Sequence, residues 1–182
     1  PYSSLGVSCY TSKNLKDWTN HGLVLRVSDK AGSDIEGGCI IERPKVLYNA
    51  KTRKFVMWFH LELKGRGYEA ARAAVAVSDT PFGPFSFVRS GRVNAKLYPI
   101  GFCKPDTTDL RHQLLFPEMK SWWTPEWRKQ IERGMFFMRD LDGGQMARDM
   151  TIFVDDDGKA YHIFSSEDNL TIQIAQLTDD YM

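Results

Sequence analysis

Residues 147–165 read ARDMTIFVDDDGKAYHIFS. The stretch opens on Arg148-Asp149 and runs into a β-prone apolar segment over 150–154. It turns through Asp155-Asp156-Asp157-Gly158 and returns over 159–165. An Asp-Gly step between two β-prone runs is a strong hairpin signal, because the tight turn needs a residue that accepts a positive φ. The same unit occurs earlier, at 42–60, as ERPKVLYNAKTRKFVMWFH. One constant offset pairs Arg43 with Arg148, Lys54 with Lys159 and Phe59 with Phe164. Both copies carry a carboxylate at the mouth of the first strand, Glu42 in one and Asp149 in the other.

The plan around the hairpins also repeats. Val7, Cys9 and Thr11 alternate with smaller or polar residues, as in a half-buried strand. Residues 12–18 form a turn with apolar anchors at Leu15 and Trp18, and a second strand is expected over 23–27. Residues 28–39, rich in Ser, Asp and Gly, read as a loop. After the first hairpin come a glycine-bearing loop (62–69), a strand (73–77) and a turn (78–85) closed by aromatic residues. After the second come a strand at 171–177 and the turn 178–181. Repeated antiparallel units of about four strands point to a β-propeller. The chain supplies about two full blades and a partial third, so further blades, in the same polypeptide or from a partner, are needed to cover its open edges.

The 182 residues suffice for one domain with a real core, and 42% hydrophobic with 13% aromatic content supports folding. A formal charge of +1 argues against nucleic-acid and anionic-membrane partners, which want a basic stripe. No apolar run approaches the length of a membrane span. No signal peptide is visible and the chain begins at Pro1, which reads as a mature product or an excised piece. Cys9, Cys39 and Cys103 have no paired spacing and read as buried small hydrophobes. His21, His60, His112 and His162 lack metal-ligand spacing and read as packing or surface residues. Neither a metal nor a cofactor is called for.

An insertion at about 94–146 interrupts the repeat. Within it, Thr124 suits a helix cap, Pro125 the first helical position, Glu126 the positive end and Gly134 the exit, which predicts a helix over 124–133. Trp122, Trp123 and Trp127 gather at its start. They either pack the insertion onto the body or offer a stacking platform for a sugar. The expectation is that the insertion covers one face of a central funnel and adds a Trp to a sugar site.

In a propeller the innermost strand of each blade borders the central channel. If the first strand of each hairpin is innermost, Glu42 and Asp149 point into one funnel from neighbouring blades. Two carboxylates with aromatic walls suit glycosidic bond cleavage, one protonating the leaving oxygen and another activating water or attacking. A further carboxylate tunes the acid's pKa. The competing reading is that Glu42 and Asp149 only pair with Arg43, Arg148 or backbone to brace strand ends.

The blocks Glu42-Arg43-Pro44-Lys45-Val46-Leu47-Tyr48-Asn49, Val56-Met57-Trp58 with His60, Arg148-Asp149-Met150-Thr151 and Asp155 through Ile163, with 165–169, resemble family-43 glycoside hydrolases. The resemblance covers about 5–92 and 147–182 and leaves the insertion uncovered. It implies a five-bladed propeller that inverts anomeric configuration, with exo-β-1,3-galactanase and β-galactosidase as the nearest branch. By the same resemblance Asp149 is the aspartate that raises the pKa of the general acid and orients it. Glu42 binds hydroxyls of the terminal sugar, Tyr68 lines that subsite, and Glu167 and Asn169 face the next sugar. The general acid would lie on a blade beyond Met182 and the base, or its substitute, before Pro1, so this chain alone is expected to be inactive. The implied partner is an oligo- or polysaccharide, and the implied location secreted or periplasmic. The alternatives are an arabinofuranosidase or xylosidase of the same family, a carbohydrate-binding propeller without catalysis, and a protein-interaction propeller.

Overall fold

A computed structural model describes residues 3–97, 100, 142–166, 169 and 171–182. The described residues form nine strands: β1 (Gly6–Thr11), β2 (Thr19–Arg26), β3 (Ile40–Asn49), β4 (Lys54–Glu62), β5 (Arg72–Ser78), β6 (Ser86–Gly91), β7 (Met150–Val154), β8 (Ala160–Ser166) and β9 (Thr171–Gln176). They make three antiparallel sheets, ordered β1-β2, β3-β4-β5-β6 and β7-β8-β9. The middle sheet is a complete four-stranded blade. The other two supply two and three strands of its neighbours. The protein is all-β over these residues and forms part of a five-bladed β-propeller.

Both repeated hairpins are present. In the second, Asp155 N–H donates to the Lys159 carbonyl and Gly158 N–H to the Asp155 carbonyl, both at 2.9 Å. Gly158 there has φ +82°, which a side chain would strain. In the first, the Asn49 side chain closes the turn by accepting from Thr52 N–H at 2.9 Å. Two details differ from the expectation. β2 begins at Thr19, earlier than 23. Leu15 and Trp18 are exposed, not buried as anchors. Their turn is closed by polar bonds instead: Ser12 Oγ accepts from Leu15 N–H at 2.8 Å, and Asn14 Oδ1 accepts from Lys16 and Asp17 N–H at 2.9 Å. Side-chain acceptors take the place of the expected burial. The outermost strand β6 was not anticipated. The helix expected at 124–133 and Trp122, Trp123 and Trp127 lie outside the described residues. The flanks of that stretch meet where Val93 and Gln145 exchange backbone bonds of 3.1 and 2.7 Å.

The middle blade is buried on both faces because β4 alternates with period two between two cores. Met57, Phe59 and Leu61 face Val7, Val24 and Leu25 of the first sheet. Val56 and Trp58 face Met150, Ile152 and Phe164 of the third. β5 carries small residues on both faces, with Ala74 and Ala76 in the first core and Ala73 and Val75 in the second. The small side chains let neighbouring sheets approach closely, and the large rings of β4 and β8 fill the remaining space. Burying one ring such as Phe59, fully inaccessible, contributes roughly 1.5–3 kcal/mol.

β3 differs. It is largely exposed along its middle, as an innermost strand is when its free edge borders open space. Its pairing with β4 slips between Glu42↔His60 and Lys45↔Trp58, so Arg43 and Pro44 together oppose Phe59. This is a β-bulge, and it accommodates a proline that cannot donate to the ladder. Arg43 takes φ +55° in it. β7 starts in a similar way. Arg148 N–H donates to the Ser165 carbonyl at 2.9 Å, and Ser165 N–H donates to the Asp149 carbonyl at 2.8 Å, so two residues oppose one. The repeat seen in sequence is thus a repeat of backbone geometry at the heads of β3 and β7.

Candidate active site

The heads of β3 and β7 lie side by side on adjacent blades, and two arginines related by the repeat cross between them in opposite directions. Arg43 of the middle blade donates from Nε to Asp149 Oδ1 at 2.8 Å. Arg148 of the next blade donates from Nη2 to the Tyr68 carbonyl at 2.8 Å. The bulge lets Arg43 leave its own strand and reach the neighbour. Both partners of the Arg43–Asp149 pair are more than half exposed, at 59% and 57%. The strand-bracing reading therefore holds for Asp149 only in part: the carboxylate meets an arginine, but at an open position where a ligand can reach it.

Glu42 is held differently, by a tyrosine and a histidine. Oε1 accepts from the Tyr68 hydroxyl at 2.8 Å, and Oε2 lies 3.2 Å from His60 Nδ1. The Tyr68 hydroxyl is pushed above its ordinary value, first by its bond to Glu42 and then by partial desolvation, so it stays a donor. Glu42 remains about a third exposed. Tyr68 sits in the β4–β5 loop and is itself partly open to solvent. Glu42, Arg43, Tyr68 and Asp149 thus form one linked, solvent-facing set at the junction of two blades.

Beneath this set is a buried layer that sequence reading did not single out. His60 Nε2 lies 2.8 Å from Glu62 Oε1, and Glu62 Oε2 accepts from Ala71 N–H at 2.9 Å. Glu62 is completely inaccessible and His60 nearly so. Ala71 holds φ +44°, a strained value for a residue with a Cβ. Its carbonyl accepts from Ala147 N–H at 2.8 Å, just ahead of Arg148 and Asp149. The available signal was Phe59-His60-Leu61-Glu62: two ionisable residues on one face of a strand that is otherwise apolar. His60 is a packing residue, as expected, but one whose two ring nitrogens both meet carboxylates.

Asn169 Oδ1 accepts from Ser165 Oγ at 2.7 Å, and Ser165 is the residue opposite Asp149. Asn169 therefore belongs near the head of β7. Glu167, Trp122 and Trp123 lie outside the described residues. His162 packs between Trp58 and Phe164, at ring separations of 4.9 and 4.5 Å. Cys39 is buried and Cys9 half-buried, both as free thiols. No group of residues that could hold a metal occurs among the described residues.

A half-propeller with two carboxylates at the heads of adjacent innermost strands defines the class, a β-propeller built like those of glycoside hydrolases. Solved structures make the family specific. A family-43 β-1,3-galactosidase solved with galactodeoxynojirimycin is 62% identical over 96% of this chain, with a TM-score of 0.81, and this chain covers 50% of it. An exo-β-1,3-galactanase from Clostridium thermocellum is 35% identical over 97% of this chain, with a TM-score of 0.65 and 29% of its own length covered. The exo-β-1,3-galactanase of Phanerochaete chrysosporium, solved with galactose, is 28% identical over 97%, with a TM-score of 0.62 and 29% covered. Over almost its whole length the chain is similar to family-43 glycoside hydrolases, and it spans half or less of the length of these relatives. No protein-family model and no curated protein sequence matches it.

Proposed function

We propose that this chain forms part of the substrate funnel of an inverting, exo-acting glycoside hydrolase that cleaves β-linked galactosides such as β-1,3-galactan. One observation carries the reading: two hydrogen-bonded pairs, Tyr68 with Glu42 and Arg43 with Asp149, sit at the junction of two blades, on the solvent side. The similarity to galactosidases and galactanases across almost the whole chain supports the sugar. With the Tyr68 hydroxyl donating to Glu42, both groups present oxygen lone pairs at one point, which suits donation from a pair of sugar hydroxyls. Asp149 carries a negative charge at an open position. A general acid brought beside it would hold its proton to higher pH, because two adjacent carboxylates resist joint ionisation.

The test is hydrolysis of β-1,3-galactobiose by the polypeptide that carries this chain, with the anomer of the released galactose followed by NMR. The expected product is the inverted anomer. Asp149→Asn should lower kcat by roughly 10²–10⁴-fold, the range of general acid catalysis. Tyr68→Phe should raise KM more than it lowers kcat. An Asp149→Asn protein with undiminished kcat would sink the assignment of Asp149, and a retained anomer would sink the inverting mechanism.

A further inference from the structure

The row Glu42–His60–Glu62 ends on a backbone amide, and its proton count is constrained by geometry. Glu62 is a fully buried carboxylate with two partners: Ala71 N–H on Oε2 and His60 Nε2 on Oε1, at 2.9 and 2.8 Å. The other ring nitrogen faces Glu42 Oε2 at 3.2 Å. An ionised carboxyl only accepts, a protonated one can donate its single O–H, and a ring nitrogen without a proton only accepts. If either contact lacked a proton, two acceptors would face each other beside a buried ring, with nothing to offset their desolvation. Each contact therefore needs one proton.

We propose that Glu62 is a positioning residue for Glu42. Its buried charge keeps His60 donating from both ring nitrogens, and this fixes Glu42 with Oε2 toward the ring and Oε1 toward Tyr68 and the open side. The row then has two carboxylates and one imidazolium, a net charge of −1, with every proton placed. Glu42 is a cross-strand partner of His60, so the backbone register brings the two together. Glu62 lies two residues further along the same strand, on the same face. The bond from Ala71 ties the row to the loop that carries Tyr68. Tyr68 and Glu42 are in this way held from below by one buried group. The consequence for sugar binding rests on the function proposed above; the protonation pattern does not.

The experiment uses the protein labelled with 15N-histidine, the His60 signals being assigned by their loss in His60→Gln. In the wild type at neutral pH, both ring nitrogens of His60 should carry slowly exchanging protons. In Glu62→Gln, the amide oxygen can accept from Ala71 N–H and the amide N–H can donate to Nε2. The ring should then keep its proton on Nδ1 alone and still donate to Glu42. Calorimetric binding of β-1,3-galactobiose should survive in Glu62→Gln and weaken by about tenfold or more in Glu62→Leu, which leaves His60 Nε2 and Ala71 N–H without partners. A wild-type His60 with one unprotonated nitrogen overturns the proposal, whatever the sugar data show. Glu62→Leu binding the sugar as tightly as wild type overturns the positioning role. A wild type that binds no galactoside overturns the proposed function, while the NMR spectrum still decides the proton pattern.

Discussion

His162 offers a quantitative test of how the second core is built. Its ring is stacked against Phe164 and tilted against Trp58, is almost inaccessible, and its Nε2 has no hydrogen-bond partner among the described residues. Burial alone pushes its pKa from 6.5 down to about 4. The folded value is below the unfolded one, so on acidification the proton binds the unfolded chain first. Stability is intact above the unfolded value of 6.5 and falls as the pH drops toward 4. Every tenfold difference in proton affinity between the folded and unfolded chain is worth about 1.4 kcal/mol. The ceiling is therefore roughly 3 kcal/mol, of which about 2 kcal/mol is lost by about pH 5. His162→Phe keeps a ring in the stack and removes the titration. Urea unfolding of both proteins between about pH 8 and pH 5, extrapolated linearly, measures the difference. Carboxylate effects common to both proteins cancel in the subtraction. The wild type should lose about 2 kcal/mol more than the variant over this range. Parallel pH profiles would refute the claim that His162 is buried in its neutral form.

Two further outcomes follow from the same structure. Gly6 has φ +142°, and a Cβ there would sit 2.0 Å from the Leu25 carbonyl oxygen, backbone that cannot move aside cheaply. Gly6→Ala should therefore cost about 1–3 kcal/mol in thermal or urea unfolding and expose amides of β1 to hydrogen exchange. Arg43→Ala removes an ion pair between two exposed groups, so stability should barely change. Galactoside hydrolysis should fall by more than that change explains, because Asp149 loses the group that orients it; equal small effects on stability and activity would count against that role.

Much of the architecture was legible in the chain because hairpins are local. Asp-Gly in 155–158, alternation along β1 and the two arginine-headed repeats depend on residues close in sequence, and period-two patterning carries over directly to burial. The strand β6 was missed because Ser86–Gly91 is half polar and borders solvent, so it lacks a clear alternation. Leu15 and Trp18 were misjudged as anchors because sequence shows an apolar residue but not whether a neighbour covers it.

For the site, the sequence by itself supplied the residue types: the repeated heads, Glu42, Asp149 and, by resemblance, Tyr68. Tertiary structure decided which groups meet. Arg43 lies 106 residues from Asp149, and no local rule joins them; the bulge and the stacking of two blades do. Glu62 and His60 look like polar interruptions of an apolar strand until the register puts Glu42 opposite the ring and the chain turns back to place the Ala71 amide under the carboxylate. A buried charge is tolerable only where such partners converge, and convergence is a property of three dimensions.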